Sequence, residues 1–269
     1  MSGLTFRLKG TLDERIDAAE LTPRRLAKLS QGEIERVVVG STKRQLKVGD
    51  VFAVGGRPGD SVTFESGSNR LDFVGSRLEE GSVIIEGDVG DYAGREMSGG
   101  RLDIRGDAGA YLASGTKGGI VTVKGSAGNQ VGAQRAGDKF GMMGGIVVIE
   151  GHAGDRVGDR MRRGTIIVRG RCGAIAGTRM LGGTIWTDQG FGANPGLLMR
   201  RGTLIGPNVE KLLATFVDTG KHDLVILRVL SRYLAATLGP LAPRPITGPV
   251  RKYAGDLATI GKGELLIAA

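Results

Sequence analysis

Residue types that carry nucleophilic or metal chemistry are scarce in this chain of 269 residues, which contains one cysteine and two histidines. Cys172 lies among small and apolar residues in the segment GRCGAIAG, which favours a buried structural thiol over an activated nucleophile. His152 and His222 have no second metal ligand nearby in the sequence, so surface roles are favoured for both. The sequence therefore predicts no catalytic residue and no metal site in this chain.

Carboxylates recur along the middle of the chain and could supply a general acid and a general base, as in β-helical enzymes that cleave polysaccharides. The candidates are Glu86, Asp88, Asp91, Asp107, Glu150, Asp155 and Asp188. Arg105, Lys124 and Arg169 alternate with them, which is typical of a neutralised outer row of side chains. This arrangement favours a structural role for the carboxylates over catalysis.

A third group of candidates consists of six of the eight arginines between residues 160 and 201. They are Arg160, Arg162, Arg163, Arg179, Arg200 and Arg201. Guanidinium groups bind carboxylates through two parallel hydrogen bonds. Two interpretations stay open: a solvated basic edge that is partly paired with Asp159 and its neighbours, or a docking surface for polyanions.

The net charge of +9 fits an acidic protein partner or an acidic small molecule. Nucleic acid is not expected as a partner, because the chain has no basic run and a single tryptophan for base stacking. No apolar stretch approaches the ~20 residues of a membrane span, and the first ten residues form no apolar signal core. We therefore expect a cytoplasmic protein with no membrane partner.

The elements that position these residues are predicted by a glycine repeat, since 48 residues of the chain are glycine. The leading glycines, spaced by 19 residues except for one step of 26, are Gly81, Gly100, Gly119, Gly145, Gly164, Gly183 and Gly202. The longer step holds an insertion of seven residues around AQRAGDK. Positions within each unit are counted here from its leading glycine.

Three features of the unit predict its structure. Positions 2 and 4 are almost always apolar and position 5 is charged, which indicates a short strand with positions 2 and 4 inward. Position 16 holds Met97, Met142, Met161, Met180 and Met199, with Thr116 in one unit, and predicts an interior stack. Glycine at positions 6 and 9 indicates corners that need either a positive φ or a close approach of backbones.

Position 3 points outward by alternation, yet it is apolar in four successive units. The residues are Val148, Ile167, Trp186 and Ile205. An apolar row of this kind must be covered, either by C-terminal helices of the same chain or by a partner subunit at an interface.

The repeat predicts an all-β protein built as a parallel β-helix of about 19-residue coils, with degenerate coils at DSVTFES and LDFVGS. We divide the chain into an N-terminal α/β segment (1–60), the glycine-repeat β-helix (61–206), and C-terminal helices with an extended tail (207–269). Helices are predicted at 22–29, with Thr22 as N-cap, and at 208–217 and 222–238. Strands are predicted at 34–40, at 49–54 and in the last segment.

The chain resembles, over essentially its whole length, the family of the C subunit of formylmethanofuran dehydrogenase. The motifs that carry the resemblance are GDVFAVGG at 49–56, the corners GDVG, GDAG and GSAG, the Met-x-Gly-Gly joins at Met97, Met142 and Met180, GMMGG at 141–145, and GKGELL at 261–266. A branch of this family in methylotrophic bacteria forms a formyltransferase/hydrolase complex. The glycine repeats are less closely similar to the C-terminal domain of the glutamate synthase large subunit.

The resemblance implies a right-handed β-helix that serves as a non-catalytic scaffold in one-carbon metabolism. The implied partners are an amidohydrolase-like A subunit, a molybdopterin-enzyme-like B subunit and a formyltransferase-like D subunit. The complex would use a methanofuran-type carrier, with no cofactor in this chain, and the six arginines would contact the carrier's glutamate-containing tail or an acidic patch on a partner. Two alternatives stay open: a glutamate-synthase-like domain, or a β-helix enzyme acting on polysaccharides.

Overall fold

The computed structural model describes residues 3–40 and 42–268, and most of its regular structure is β-sheet. The strands are β1 (Leu4–Leu8), β2 (Ile16–Asp17), β3 (Phe52–Gly56), β4 (Ser61–Phe64), β5 (Leu71–Asp72), β6 (Ser82–Ile85), β7 (Arg101–Ile104), β8 (Ile120–Val123), β9 (Met143–Ile149), β10 (Arg163–Val168), β11 (Thr184–Thr187), β12 (Phe191–Ala193), β13 (Arg201–Gly206), β14 (Val209–Lys211), β15 (Val217–His222), β16 (Val250–Gly255) and β17 (Lys262–Ala268). The helices are α1 (Pro23–Leu26), α2 (Gln31–Glu35), α3 (Val48–Val51) and α4 (Val225–Leu238), followed by a 3₁₀ turn at Gly239–Leu241.

The opening strands of the repeat units pair in parallel, and equivalent positions lie opposite one another. Val83 is paired with Leu102, Leu102 with Val121, and Val121 with Val147 across the longer step. A second parallel column joins position 8 of successive units, from Val89 through Ala108, Ala127, Ala153 and Cys172 to Phe191. Each unit therefore contributes to two parallel ladders, and the insertion leaves the strand register unchanged.

The interior matches the columns predicted from the sequence. Side chains at positions 2 and 4 are buried in every unit, from Val83 and Ile85 to Ile185 and Thr187. The position 16 column is also buried, comprising Met97, Thr116, Met142, Met161, Met180 and Met199, with Leu78 one period earlier. The prediction of an interior methionine stack is confirmed.

The glycines at positions 6 and 9 are required mainly by the close approach of neighbouring units. A Cβ on Gly106 would lie 2.2 Å from Oδ1 of Asp88, and a Cβ on Gly109 would lie 2.4 Å from Oδ1 of Asp91. Neither glycine has a positive φ, whereas the leading glycine Gly145 has a φ of 82°. At Gly106 and Gly109, glycine is therefore required by the close approach of the neighbouring unit and not by a positive φ.

Both ends of the repeat array are completed by strands from the flanking segments. At the N-terminal end β1 lies between β3 and β4, and the rings of Phe6, Phe52 and Phe64 pack with centroid distances of 5.3–5.9 Å. At the C-terminal end β17 pairs in parallel with β13 and antiparallel with β16, which pairs with β15. The predicted return of the last segment as an extended strand is confirmed.

The predicted helix at 208–217 is wrong. Its first residues form β14, in which Val209 pairs with Phe191, and β15 begins at Val217. The backbone N–H of Asn194 donates to the carbonyl of Lys211 at 2.7 Å, so the segment continues the ladder of the repeat units. Pairing with the neighbouring repeat unit therefore decides the structure of this segment, although its apolar residues have the spacing of a helix. The predicted helix at 222–238 forms as α4 but begins at Val225, because β15 extends to His222.

Two strand predictions in the N-terminal segment also need correction. The segment 34–40 begins inside α2, which has a capping box between Ser30 and Glu33, and Val38 and Gly40 make only isolated bridges. The segment 49–54 begins inside α3 and becomes a strand only at Phe52. The helix predicted at 22–29 forms over Pro23–Leu26, with Thr22 as N-cap.

The apolar row at position 3 lies beneath the chain's own C-terminal elements. Val148, Ile167, Trp186 and Ile205 are buried and form a second core. The residues that cover them are Leu227, Leu234 and Leu238 of α4, with Val250 of β16 and Leu266 of β17. The C-terminal elements of the same chain therefore cover the row, and it is not exposed for a subunit interface.

No helix in the described ranges is long and apolar enough to cross a bilayer.

Candidate functional site

Four of the seven carboxylates that could have formed a catalytic pair accept hydrogen bonds from the backbone of the next repeat unit: Asp88, Asp91, Asp107 and Asp155. Of the other three, Asp188 is ion-paired with Arg169, and Glu86 and Glu150 are exposed at position 5. At position 7, Oδ1 of Asp88 accepts from the backbone N–H of Asp107 at 2.8 Å, and Oδ1 of Asp107 accepts from Ser126 at 2.7 Å. At position 10, Oδ1 of Asp155 accepts from the backbone N–H of Ala174 at 2.7 Å. These two columns of side chains satisfy backbone donors at the corners of the array.

The two histidines and the cysteine occupy structural positions. Nδ1 of His152 accepts from the backbone N–H of Arg171 at 3.0 Å, so this ring belongs to the position 7 column. His222 contacts Thr219 within β15, where the pairing with β16 shifts register. Cys172 is fully buried, and burial raises the pKa of its thiol to about 12. Over residues 3–40 and 42–268, no three His, Cys, Asp or Glu side chains cluster closely enough to hold a metal ion.

Three of the six arginines line one cavity of about 440 Å³ on the side of the array. The residues around it are Lys139, Phe140, Arg160, Arg179, Leu181, Leu198, Arg200 and Thr259. Arg160, Arg179 and Leu198 share position 15 of three successive units. Their backbones are left-handed, with φ of 54°, 51° and 57°. The repeat therefore presents three equivalent corners to the same space, which we call the basic cavity.

The other three arginines are exposed and lie within three residues of a lining arginine along the chain. The guanidinium of Arg162 stands over the ring of Phe140, with its Cζ 4.9 Å from the ring centroid. Arg163 begins β10 opposite Met143, and Arg201 begins β13 opposite Lys262. The predicted group of six is thus divided between three arginines that line the cavity and three exposed neighbours in the chain, which we call the rim.

One of the lining arginines is neutralised within the chain. Nε and Nη2 of Arg179 donate to the two carboxylate oxygens of Asp159 at 3.0 and 2.5 Å, and this hydrogen bonding raises the pKa of Arg179. Asp159 is buried and also lies 3.4 Å from Nη2 of Arg156. Among the described residues, Arg160, Arg200 and Lys139 have no carboxylate within ion-pair distance. The basic cavity keeps a net positive charge.

The C-terminal segment contributes Thr259 to the lining of the basic cavity and is fixed by a buried carboxylate. Asp256 accepts hydrogen bonds from the backbone N–H groups of Leu198 at 2.8 Å and Ala258 at 2.9 Å. Burial alone raises the pKa of Asp256, but hydrogen bonding by the Thr215 side chain and by these two backbone groups outweighs burial and holds the pKa below its ordinary value. The hydroxyl of Thr259 donates to the carbonyl of Met199 at 2.6 Å.

Sequence reasoning missed the apolar walls of the basic cavity and one of its cations. Lys139 and Phe140 lie at the end of the insertion, and Leu181 and Leu198 belong to the units that carry the arginines. The insertion itself was the sequence signal that could have indicated these residues. Only one unit carries it, and it ends in an aromatic residue, Phe140, shortly before β9.

The geometry defines a class of protein: a glycine-rich repeat protein of stacked parallel strands with a basic, partly apolar cavity on one side. A curated relative, the C subunit of the formyltransferase/hydrolase complex Fhc of Methylorubrum extorquens, is 54% identical over 265 residues, covering 98% of this chain and 99% of that protein. A chain in the crystal structure of the FhcABCD complex from Methylorubrum extorquens, determined with methylofuran, superposes with a TM-score of 0.92 at 44% identity. That match covers 98% of this chain and 99% of the other.

No family model matches the sequence. The identity to the curated relative extends over nearly the full length of both proteins. The chain belongs to the family of the C subunit of the formyltransferase/hydrolase complex.

Proposed function

We propose that this chain is the non-catalytic scaffold subunit of a formyltransferase/hydrolase complex in one-carbon metabolism. The observation that carries the proposal is the 54% identity to the C subunit of that complex over nearly the full length of both proteins. The structure supports a scaffold role, because the aspartates at positions 7 and 10, which could have supplied catalytic groups, are hydrogen-bonded to the chain's own backbone. The same use of these aspartates argues against the alternative of a polysaccharide-cleaving enzyme.

We also propose that residues 61–206 form a right-handed parallel β-helix, flanked by the segments 1–60 and 207–269. Two parallel ladders per repeat unit support this architecture, since a chain must turn between them and return once per unit. A rigid stack of this kind offers a long surface on which several subunits can be arranged.

The proposed partners are the A, B and D subunits of the complex, of amidohydrolase-like, molybdopterin-enzyme-like and formyltransferase-like type. The proposed carrier is of the methylofuran type and is held by the assembled complex. Support comes from the structural neighbour, which is a chain of the FhcABCD complex determined with methylofuran. The proposed location of the complex is the cytoplasm.

The basic cavity and its rim are proposed as a docking surface for a polyanion. Arg160 and Arg200 face the cavity without a carboxylate partner among the described residues, and Phe140 and Leu198 supply apolar contact area. Free guanidinium groups beside an apolar wall suit carboxylates on a flexible chain, whether the carrier tail or an acidic segment of a partner.

Co-expression with the three other subunits tests the proposed function. With an affinity tag on this chain alone, we expect the A, B and D subunits to co-elute in fixed ratios. Formyl transfer and formyl hydrolysis should occur in that complex, and this chain purified alone should show neither. Turnover by the isolated chain that persists through further purification contradicts the non-catalytic role. Failure of all three subunits to co-elute contradicts the scaffold role.

A further inference from the structure

Helix α4 carries apolar side chains on two opposite faces. On the inner face Leu227, Leu234 and Leu238 are buried against the apolar row at position 3. A surface helix normally has one apolar stripe, which faces the core, and polar residues opposite. A helix that is apolar on both faces is typical of one that is covered on both sides.

The outer face of α4 is open in the isolated chain. Val225, Ile226, Val229 and Tyr233 are 63%, 63%, 55% and 56% exposed. Their spacing places them on one side of the helix, together with Ala236. Large apolar side chains contiguous on a surface indicate a binding site for another molecule. This set of residues is called the outer α4 face below.

The charges around the outer α4 face indicate what covers it. The segment 221–238 contains Lys221, Arg228 and Arg232 but only one carboxylate, Asp223. That carboxylate is already ion-paired with Arg228. Arg232 is exposed within the face and has no carboxylate within ion-pair distance among the described residues. A two-fold contact between copies would bring these like-charged faces together.

We propose that the outer α4 face binds a different subunit of the complex, through an apolar groove bordered by carboxylates. The apolar residues fill the groove, and Arg232 pairs with an acidic side chain at its edge. This inference rests on the proposed function, because it requires a heteromeric complex. It differs from the basic cavity in chemistry, since most of the contact here is apolar.

The main test replaces the apolar residues while keeping the helix. The triple variant Ile226→Gln, Val229→Gln and Tyr233→Gln introduces good helix formers at exposed positions. We expect the isolated variant to keep the thermal midpoint of the parent chain. In the co-expressed complex, we expect the affinity for one partner subunit to fall about tenfold or more, while the other subunits stay bound to the parent level. Ala235→Gln, on the exposed flank of the same helix, is the matched control and should change neither quantity.

A cross-linking arm identifies what lies on the face. A photoreactive amino acid at position 229, irradiated in the purified complex, should give an adduct with one other subunit. Arg232→Glu should weaken that contact more strongly at low ionic strength than at high. An adduct between two copies of this chain, or normal assembly of the triple variant, overturns the inference. If no partner co-elutes even with the parent chain, the proposed function fails first, which separates the two failures.

Discussion

The imidazole of His152 accepts a hydrogen bond of 3.0 Å from the backbone N–H of Arg171, which lies one repeat unit further along the chain. Asp107 and Ser126 make the equivalent contact in the two units before it. A carboxylate, a hydroxyl and an imidazole thus serve the same purpose at position 7. The shared requirement is an acceptor of suitable length, because each corner has a backbone N–H that the ladders leave unpaired.

Asp155 tests whether these polar columns stabilise the fold. Its Oδ1 accepts from Ala174, and its own backbone N–H donates to Oδ1 of Asn129. We expect Asp155→Ala to lower the free energy of unfolding by about 1 kcal/mol, because it removes one hydrogen bond and leaves the backbone N–H of Ala174 without this acceptor. Urea denaturation followed by circular dichroism measures the change. Asp155→Asn is the control, because asparagine at position 129 already fills this role in the preceding unit, and it should stay near the parent stability.

The position 16 column makes Met161 a core residue. It is fully buried between the equivalent methionines of the neighbouring units. Met161→Ala should lower the free energy of unfolding by roughly 2–5 kcal/mol, because it removes buried methylene and thioether volume and leaves a cavity. Met161→Lys should prevent folding, because it buries an unpaired ammonium. A lysine variant with a normal thermal transition contradicts the interior assignment.

The repeat made most of the fold predictable, because residues at equivalent positions lie above one another. Val83, Leu102 and Val121 can be aligned from sequence, and in the structure they are paired neighbours. The fate of 208–217 was not predictable from its own residues, since Val209 is held in a strand by Phe191 of another segment. The basic cavity was only partly predictable. Its arginines follow the repeat, whereas Phe140 comes from an insertion whose path is set by tertiary contacts.

Cys172 should be chemically silent in the folded chain. Its thiol is fully buried and burial raises its pKa to about 12, so the reactive thiolate is scarce at neutral pH. We expect a thiol reagent such as 5,5′-dithiobis(2-nitrobenzoate) to label no cysteine under native conditions at pH 8. The same reagent in 6 M guanidinium should label one thiol per chain, which is the internal control. Stoichiometric labelling of the native chain within minutes would contradict the burial of this residue.

Asp256 should make the attachment of the C-terminal segment sensitive to acid. Its folded pKa lies below the ordinary value of 3.8, so the unfolded chain binds more protons between the two pKa values. The stabilisation is therefore complete above the unfolded pKa and is lost as the pH falls through the folded pKa. We expect Asp256→Asn to have a lower thermal midpoint than the parent chain at pH 7. Below about pH 4 the two midpoints should move closer together, because the parent loses the same stabilisation there. Thermal midpoints measured from pH 3 to pH 7 check this, and a constant difference across that range contradicts it.

The rim and lining arginines should matter for docking and not for folding. Reversing Arg162, Arg163, Arg200 and Arg201 to Glu changes four exposed side chains. We expect this variant to fold with a near-parent thermal midpoint. It should assemble less well with its partners, or the complex that contains it should show a higher apparent KM for the carrier. Either effect should be larger at low ionic strength. Normal assembly and an unchanged KM at low salt would leave these arginines as surface charge only.

A single substitution distinguishes the effect of the basic cavity from the effect of the chain's net charge. Arg160 has a φ of 54°, and the equivalent residue two units earlier is Gly115, so Arg160→Gly removes a cation and also relieves a left-handed backbone. Arg77→Gly is the control, since Arg77 has a φ of 55° at the same position; it also removes an exposed ion pair with Glu96, which contributes little to stability. Arg77 lies four units away, a distance of about 19 Å at ~4.8 Å per strand. We expect only Arg160→Gly to weaken docking, in assembly or in carrier KM, while neither variant loses stability. Equal effects of the two substitutions would show that net charge, and not the basic cavity, attracts the polyanion.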